Sequence, residues 1–502
     1  MTSPVNIYNL SRIHEEDPFN IVERHHSQCK ELLRTQYHEI ESLRLLTDEL
    51  LKNDVTIADM DGFFYSFQIP QIGKEFDLLK FTDKLCLNIE LKSVSVPEEQ
   101  ILKQLLKNRH YLGHLGKRLR LYSVVTDTMT CYKLSLNDEL IPVEFDEIVS
   151  SVKRISDDYS DTIDNLFRAS DYLVSPLNTP ARFIQGEYFL TQAQEQIKKN
   201  ILNGIDAAFF GAFFHLTGKP GTGKTLLLYD LAKTLSRNGK TLIIHCGKLS
   251  AGQYKIRKEI EQLYIISAGQ LRNDDVSLAD YNYILVDETH RIYTSQFEAI
   301  CDSVRGNDQV CIFSSDPEQI LSNAEKRNDI VNKIKAIPPD AEYTLSEKIR
   351  TNKELHSFIV CMKNLNHRAR VLMDYSSVEL NYANTTQEAQ SMLEYYRNKG
   401  YIFINYSKSN YEESPYSAYA EDFDTHHVIG QEFDNVVMLM DSSFYYDENG
   451  VLQGMPHPNP DYLYPNLFYQ GVTRVREKLA IIVVNSPELF RNVVSIVKPT
   501  ES

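Results

Sequence analysis

The stretch AFFHLTGKPGTGKTLLLYDLAKTL, residues 212–235, decides the fold of this chain. Its first part is an uninterrupted apolar run, which is typical of a parallel strand buried on both faces. The glycines Gly218, Gly221 and Gly223 follow, and an amphipathic helix pattern comes directly after them. Such glycines let backbone N–H groups surround an anion at the positive end of the helix. The stretch therefore predicts a parallel α/β sheet built around a phosphate-binding loop.

Two motifs of the chain together predict hydrolysis of ATP with Mg²⁺. The loop fits G-x-x-x-x-G-K-[ST], so Lys224 is expected to reach the outer phosphates and Thr225 to ligate Mg²⁺. The second motif is YNYILVDETHR (281–291), a buried strand that ends in two acids. Asp287 can hold the Mg²⁺ shell, and Glu288 can orient and deprotonate the attacking water. A strand followed by a capped helix would account for one acid but hardly for both.

Length and composition limit the classes of protein that fit. The 502 residues suffice for about three domains, and 42% apolar with 24% charged residues is ordinary for a soluble globular protein. There is no apolar run near the ~20 residues of a membrane span and no signal-peptide pattern, so a cytoplasmic protein without a membrane partner is expected. Seven scattered cysteines without a C-x-x-C pair predict reduced thiols and no structural zinc. The net charge of −16 argues weakly against nonspecific nucleic-acid binding and leaves room for a partner subunit or a homo-oligomer.

The pattern of elements changes near residue 165. Before it, one long helix over 20–53, a second helix over 98–112 and several strand-like runs indicate an α+β domain. After it, strands alternate with helices, which indicates parallel sheets with right-handed crossovers. We therefore predict three domains: an N-terminal domain over 1–165, a phosphate-loop lobe over 166–345 and a second lobe over 346–502.

The N-terminal segment FDLLKFTDKLCLNIELKS (76–93) predicts a hairpin with chemistry on one face. With a turn at TDK (82–84), Asp77 lies opposite Glu90, and Lys92 shares their face while the alternating apolar residues enter a core. Opposed carboxylates destabilise a sheet unless a divalent cation joins them, and hard oxygens suit Mg²⁺ or Mn²⁺. Two carboxylates and a lysine are the layout for metal-assisted phosphodiester cleavage. A surface hairpin with ordinary charges is the alternative.

Over residues ~20–140 this arrangement resembles the PD-(D/E)XK-type nuclease core, including the nuclease-related domains. The quoted D…ExK hairpin follows a helix and precedes the helix EEQILKQLLKNRHYL. The resemblance implies a restriction-endonuclease-like fold and a glutamine on that following helix, with Gln104 favoured over Gln100. It also implies an acid on the first helix, for which Glu39 and Glu41 are both candidates.

A basic segment, KQLLKNRHYLGHLGKRLRLYS (103–123), carries six Lys or Arg, two His and no acid. Beside a nuclease site it could hold the backbone of a nucleic acid. A solvated helix face is an equally good interpretation of its charge.

Further motifs after residue 185 fit one ordered template. They are LTQAQ (190–194), SSDPEQI (314–320), LSEKIRTN (345–352), HHVIGQEFDNVVMLMD (426–441) and YQGVTRVREKL (469–479). With the phosphate loop and VDETHR, they resemble the ordered motifs of a superfamily 1 helicase. The V-D-E-x-H-R and G-x-E-F-D wording is similar to the Schlafen-type helicase-like ATPases, over residues ~185–490.

The resemblance implies two RecA-like parallel-sheet lobes with ATP in the cleft between them. Gln194 would read adenine, and Gln319 would sense the γ-phosphate. Arg350 and Arg474 would act as arginine fingers from the second lobe, stabilising the transferring phosphoryl group and coupling hydrolysis to lobe closure. Arg476 is a weaker candidate for the same role. The spacings leave little room for the large insertions of unwinding helicases, which puts duplex unwinding in doubt.

Three functions are compatible with these motifs. The leading hypothesis is a prokaryotic or phage-related nuclease–ATPase that acts on nucleic acid, DNA rather than RNA, in defence against foreign DNA or in DNA repair. It would use ATP and Mg²⁺, with Mn²⁺ as an option at the nuclease site. The second is an ATP-driven sensor, switch or translocase whose nuclease-like domain only binds. The third is a helicase with a vestigial nuclease.

Overall fold

The computed structural model describes most of the chain and divides it into two compact units, Met1–Tyr172 and Leu173–Ser502. The described residues are 3–27, 35–69, 74–154, 163–167, 174–188, 190–208, 211–272, 276–317, 319–337, 341–345, 353–367, 374–406, 414–420, 423–456 and 462–498.

The first unit is an α+β domain built on one six-stranded sheet. Its strands lie in the order β1-β2-β3-β4-β5-β6, and only the β3–β4 pair is parallel. The strands are β1 (Phe63–Gln68), β2 (Glu75–Phe81), β3 (Leu85–Lys92), β4 (Arg118–Val125), β5 (Thr130–Leu134) and β6 (Leu140–Val143). The helices are α1 (Ile7–Ser11), α2 (Glu16–Ser27), α3 (Tyr37–Lys52), α4 (Glu98–Gly113), α5 (Phe145–Lys153) and α6 (Ile163–Leu166).

The single helix predicted over 20–53 is wrong, because the segment contains two helices. Helix α2 ends at Ser27, and α3 begins at Tyr37. Gln36 has extended backbone, and its N–H donates to the Glu39 carboxylate at 2.7 Å. A residue with extended backbone whose N–H is capped in this way starts a helix and does not continue one.

The hairpin of β2 and β3 has the predicted register. Leu78 pairs with Ile89, Phe81 pairs with Cys86, and the Thr82 N–H donates to the Leu85 carbonyl at 2.9 Å. The apolar face of the hairpin enters the core of the first unit, as the alternation predicts, with α3 packed on β3. A slip of one residue would have turned this face outward.

The second unit contains two parallel sheets, each forming the centre of a lobe. The first lobe (174–345) has six strands in the order β12-β7-β11-β10-β8-β9, all parallel. Its strands are β7 (Ala212–Gly218), β8 (Thr241–His245), β9 (Leu263–Ser267), β10 (Tyr283–Asp287), β11 (Val310–Ser315) and β12 (Ala341–Leu345). Its helices are α7 (Pro180–Gln185), α8 (Gln192–Ala207), α9 (Lys224–Leu235), α10 (Ala251–Glu259), α11 (Thr294–Gly306), α12 (Asn323–Asn328) and α13 (Ile330–Ala336). Apolar side chains pack on both sheet faces, as the uninterrupted runs predict.

The second lobe (353–498) has a four-stranded parallel sheet in the order β13-β18-β15-β14 and a separate antiparallel pair. Its strands are β13 (Val378–Ala383), β14 (Ile402–Phe403), β15 (Phe433–Met440), β16 (Phe444–Tyr446), β17 (Leu452–Gly454) and β18 (Val475–Val484). Its helices are α14 (Lys353–Lys363), α15 (Thr386–Asn398), α16 (Tyr464–Val472) and α17 (Pro487–Val497).

The two lobes of the second unit touch through hydrogen bonds. The Leu463 N–H donates to the Leu321 carbonyl at 2.8 Å, and the Asn466 amide donates to the Ile320 carbonyl at 2.6 Å. The Glu432 N–H also donates to the Asn178 side chain at 3.1 Å. Residues 178, 320 and 321 of the first lobe are thus hydrogen-bonded to the second lobe.

Membrane and disulfide features are absent from the described ranges. No helix there combines the length and apolar character that a membrane crossing requires. The six cysteines in those ranges are buried and form no disulfide.

Candidate functional site

The phosphate loop connects β7 to α9 and depends on glycine at three positions. Gly221 and Gly223 have φ of 83° and 81°, a left-handed conformation that glycine adopts without strain. A Cβ at Gly218 would lie 2.7 Å from the carbonyl oxygen of Leu345, at the end of the neighbouring strand β12. With glycine at these positions, the loop backbone runs directly into the first turn of α9. The backbone N–H groups there favour the binding of an anion.

Lys224 and Thr225 begin α9 and are both buried. The Lys224 ammonium donates to the carbonyls of Gly218 at 2.7 Å and Lys219 at 3.0 Å, and lies 3.3 Å from the Asp316 carboxylate. Asp316 follows β11, the strand beside β7, and is itself fully buried. The cation and the hydroxyl predicted to serve the phosphates and Mg²⁺ thus lie together at the positive end of the helix.

The two acids predicted from YILVDE lie at the end of β10 and are buried. One oxygen of each carboxylate, Oδ2 of Asp287 and Oε2 of Glu288, has no hydrogen-bond partner among the described residues. Glu288 also has a left-handed backbone, with φ of 57° and ψ of 41°. Unpartnered buried carboxylate oxygens and a strained backbone are costly, and they concentrate where a ligand is bound.

Several basic side chains lie near Glu288. Burial alone would raise its pKa, but His290, Arg291, Lys224 and Arg474 outweigh burial and lower the pKa of Glu288 to about 2. The carboxylate is therefore ionised at neutral pH and can accept a hydrogen bond from a water.

His290 and Arg291, the last residues of VDETHR, were given no role from the sequence. Burial, followed by the charge of Arg291, lowers the pKa of His290 to about 3, so the imidazole is neutral. Its Nδ1 accepts from the Asp316 N–H at 3.2 Å, which ties the acid loop after β10 to the loop after β11. The Arg291 guanidinium lies 3.8 Å from Glu288 and 3.6 Å from Glu325. The sequence signal that could have identified these two residues is their place in the motif, two and three residues after Glu288.

The arginines predicted from the second lobe have different surroundings. Arg474 is 2% exposed, donates to the carbonyl of Gln470 at 3.2 Å, and is near enough to Glu288 to lower its pKa. Arg476 instead forms an ion pair with Glu432 at 2.9 Å, which favours a structural role for it. Arg350 lies outside the described residues.

Gln194 and Gln319, predicted to contact adenine and the γ-phosphate, are both buried in the first lobe. The Gln194 amide accepts from the Thr191 N–H at 2.9 Å and donates to the carbonyl of Gly223 at 3.4 Å, so it caps α8 and contacts the phosphate loop. A bidentate adenine contact would have to replace these bonds and stays a prediction. The Gln319 side-chain oxygen has no partner among the described residues and lies on the loop that carries Asp316.

The residues at this site fit Mg²⁺. Thr225 and Asp287 supply hard oxygen ligands, and the unpartnered Asp287 oxygen is what a cation or its water shell would satisfy. Mg²⁺ in such sites takes its other ligands from water and substrate phosphates.

A Glu288→Gln variant is expected to bind ATP normally but to turn it over roughly 10²–10⁴-fold more slowly, because the amide cannot accept the proton of the attacking water. Steady-state hydrolysis and nucleotide binding measured on one preparation check this. The matched control is Glu298→Gln, an exposed acid on α11, which should keep parental turnover. Parental turnover in Glu288→Gln would remove Glu288 from the reaction.

The second candidate site lies in the first unit, around Glu90 of β3. Glu90 is 1% exposed, and its carboxylate accepts hydrogen bonds from the amides of Gln104, Asn88 (3.0 Å) and Asn108 (2.8 Å). Gln104 and Asn108 are one turn apart on α4, so this helix covers the carboxylate. The structure thus brings the predicted Gln104 to Glu90 and adds two asparagines that the sequence analysis did not single out. The sequence signal that could have identified Asn108 is its i, i+4 spacing from Gln104 on the same helix.

Asp77 lies next to Glu90 on the neighbouring strand β2. Its carboxylate accepts from the Leu91 N–H at 2.7 Å. Burial raises the pKa of Asp77 to about 8, the Glu90 charge adds to the increase, and the Leu91 N–H and Lys92 oppose it. The two carboxylates are therefore close enough to repel each other, as the hairpin register predicts.

A cavity of about 250 Å³ opens beside Asp77 and Lys92. Glu39 of α3 lines the same cavity, whereas Glu41 forms an ion pair with Arg44. Of the two acids left open by the sequence, the structure therefore favours Glu39. Lys74 also lies near the carboxylates: burial lowers its pKa, while Glu90 and Asp77 oppose the decrease.

Asp77 and Glu90 are the two carboxylates that a divalent cation would join here, and Asp77 but not Glu90 lines the cavity. The three amides use three of the roughly four acceptor positions of Glu90, and a cation would relieve the repulsion that raises the pKa of Asp77. Within the described ranges no cluster of three or more His, Cys, Asp or Glu side chains is arranged to hold a metal. A metal here would take its remaining ligands from water and substrate phosphates, which suits Mg²⁺.

The basic segment 103–123 is only partly available to a ligand. Arg109 forms an ion pair with Asp138, the Lys117 ammonium donates to the Thr82 carbonyl at 2.9 Å, and Arg120 donates to Ser151. Lys103 and Arg118 are exposed. Three cations of the segment therefore have partners within the unit, which reduces the positive charge that a nucleic acid would meet.

Comparison with protein families identifies the central part of the chain. Residues 211–407 match the family model described as Schlafen group 3, DNA/RNA helicase domain. The match includes the phosphate loop and both acids of VDETHR. This part of the second unit is therefore similar to a helicase-like NTPase domain.

Curated relatives and solved structures match at low identity. The DNA repair protein RadA of Campylobacter jejuni is 26% identical over 101 residues, 19% of this chain and 23% of that protein. RadA of Mycobacterium tuberculosis is 25% identical over 103 residues, 19% and 22% of the two chains, so this chain spans less than a quarter of these relatives. A Pif1 helicase from Bacteroides, solved with ADP-AlF₃ and ssDNA, aligns with a TM-score of 0.32 at 10% identity, covering 58% of this chain and 92% of that one. Flagellar accessory protein FlaH of Methanocaldococcus jannaschii has a TM-score of 0.22 at 12% identity, covering 27% and 73%.

Proposed function

We propose that this protein is an ATP-hydrolysing, helicase-like enzyme that acts on nucleic acid, and that its first unit is a metal-dependent nuclease of the PD-(D/E)XK type. The observation that carries the ATPase part is the convergence of Lys224, Thr225, Asp287 and Glu288 at one edge of a parallel sheet, with Arg474 of the second lobe near Glu288. The observation that supports the nuclease part is the adjacent pair of Asp77, which is partly exposed, and Glu90, which is buried.

In the ATP reaction, each residue has a role set by its position. The loop N–H groups and Lys224 bind the phosphates, while Thr225 and Asp287 would hold Mg²⁺, which neutralises charge on the phosphates when bound. Glu288, ionised and buried, orients the attacking water and accepts its proton. Arg474 comes from the second lobe, so lobe closure would bring its positive charge toward the transferring phosphoryl group.

In the proposed nuclease reaction, Asp77 and Glu90 would hold the divalent cation, which supplies Lewis-acid activation of the scissile phosphate. Lys92 lines the cavity beside Asp77 and can orient the attacking water or steady charge on the phosphate. Gln104 holds the Glu90 carboxylate, which makes it a positioning residue. The backbone of the nucleic acid would be held by the exposed cations Lys103 and Arg118.

The nature of the substrate is proposed from the family description and from the relatives. The matched family is described as a DNA/RNA helicase domain, and the curated relatives are named DNA repair proteins. DNA is therefore the proposed substrate, and a role in DNA repair or in defence against foreign DNA is the proposed context. The expected cytoplasmic location and the partner subunit or homo-oligomer stay predictions.

A second candidate function is an ATP-driven switch whose first unit binds nucleic acid without cutting it. The enclosure of Glu90 by three amides favours it, because a metal would have to share that carboxylate with partners that already satisfy most of it.

The helicase-like part is tested by measuring steady-state ATP hydrolysis with and without single-stranded DNA, duplex DNA and RNA of one sequence. We expect severalfold stimulation by single-stranded DNA, because a translocase couples lobe closure to the strand it holds. Equal rates with and without every nucleic acid would contradict a nucleic-acid substrate for this ATPase.

A further inference from the structure

A buried histidine that the proposed mechanism does not use lies at the proposed nucleotide site. His245 is the last residue of β8, and Asp287 is the last residue of β10. The two strands are parallel neighbours, and these two residues are register partners. Register partners on adjacent parallel strands point to the same face of the sheet. The imidazole of His245 and the carboxylate of Asp287 therefore lie side by side at the carboxyl ends of their strands.

The imidazole and the carboxylate meet in a buried environment. His245 is 0% exposed and Asp287 is 1% exposed. The Nδ1 of His245 lies 3.4 Å from Oδ2 of Asp287, and neither atom has a hydrogen-bond partner among the described residues. Buried polar atoms are nearly always paired, because leaving one unpaired costs about 1–3 kcal/mol. A small rotation of the ring would convert this approach into a hydrogen bond.

Two glycines lie close to the ring. A Cβ at Gly247 would lie 2.9 Å from Nε2, so glycine at 247 leaves the ring its space. A Cβ at Gly430 of the second lobe would lie 3.7 Å from Cε1 and 4.0 Å from the Thr225 hydroxyl. His245 and Thr225 are therefore both close to Gly430 of the second lobe.

We propose that His245 is a positioning residue for the Mg²⁺-binding carboxylate, donating an Nδ1–H hydrogen bond to Asp287 and fixing its orientation toward the cation beside Thr225. A donor behind a ligating or water-holding carboxylate fixes its rotamer and tunes its affinity for the metal, an effect of typically 10–100-fold when the donor is removed. This inference rests on the proposed nucleotide site. It does not make His245 a catalytic residue, since the ring need not touch the nucleotide.

The test measures how binding of a fluorescent, non-hydrolysable ATP analogue depends on Mg²⁺. In His245→Leu, the Mg²⁺ concentration for half-maximal tight binding is expected to rise roughly 10–100-fold, while binding in EDTA stays parental. His245→Asn, whose amide nitrogen takes the place of Nδ1, is expected to recover to within about threefold of the parent. Gly247→Ala keeps the imidazole but displaces it, so it should shift the Mg²⁺ dependence in the same direction as His245→Leu.

Thr241→Val is the matched control, because Thr241 is equally buried at the opposite end of β8. It should leave the Mg²⁺ dependence at the parental value. The proposal would be overturned if analogue binding by His245→Leu had the same Mg²⁺ dependence as binding by the parent. It would also be overturned if His245→Asn were impaired as much as His245→Leu, or if His245→Leu lost as much binding in EDTA as in Mg²⁺. A parent that binds the analogue under no condition would overturn the nucleotide site itself, and the proposal with it.

Discussion

A Lys224→Ala variant is expected to lose ATP hydrolysis by roughly 10²–10³-fold or more, since it removes the buried cation proposed to contact the transferring phosphoryl group. In the structure this ammonium lies at the start of α9, bonded to the Gly218 carbonyl and 3.3 Å from Asp316. It is therefore positioned by the loop itself. Steady-state phosphate release at saturating ATP gives the measurement.

The control for this prediction is Lys240→Ala. Lys240 is an exposed lysine in the turn between α9 and β8, and its removal should leave turnover within about twofold, as for most surface substitutions. If Lys224→Ala hydrolysed ATP at the parental rate, the assignment of 218–225 as the phosphate loop would have to be abandoned.

An Asp77→Asn variant is expected to lose metal-dependent cleavage of nucleic acid by roughly 10²–10³-fold while keeping or gaining thermal stability. The amide oxygen can still accept from the Leu91 N–H, so packing and the strand ladder are preserved. The substitution also removes the repulsion between Asp77 and Glu90, which is why stability should not fall. Cleavage assays and thermal unfolding on one preparation separate the two effects.

The same change at the hairpin turn is the matched control. Asp83→Asn alters an exposed acid six residues away on the same hairpin and should leave both cleavage and stability unchanged. Cleavage by Asp77→Asn at the parental rate would show that any nuclease activity arises elsewhere in the chain or in a contaminant. Loss of cleavage together with a large loss of stability would point to a structural role for Asp77.

Much of the fold follows from local sequence signals. The phosphate loop, the buried strands with uninterrupted apolar runs and the β2–β3 register were predicted because each depends on residues close together in the chain. Strand β13 and the two-residue length of β14 were not predicted, because partly exposed strands in the second lobe carry no clear period. The long helix over 20–53 was wrong because the break at Gln36 depends on one capping interaction.

The sites were predictable only where a motif fixed the spacing. Lys224, Asp287 and Glu288 belong to short ordered motifs, so their placement at one sheet edge followed from strand order. Asn88 and His245 carry no motif, and their partners Glu90 and Asp287 are identified only by strand pairing and by the position of α4. Contacts of that kind depend on tertiary packing, which a single sequence does not state.

The most direct test of the central claim is one cleavage assay on the purified protein. Labelled single-stranded and duplex DNA and RNA are incubated with Mg²⁺ or Mn²⁺, with and without ATP, beside Asp77→Asn and Lys224→Ala. The proposed function predicts metal-dependent cleavage of DNA that is lost in Asp77→Asn, with the ATP dependence of cleavage lost in Lys224→Ala. Intact ATP hydrolysis with no cleavage of any substrate by the parent would contradict the nuclease and favour the ATP-driven switch.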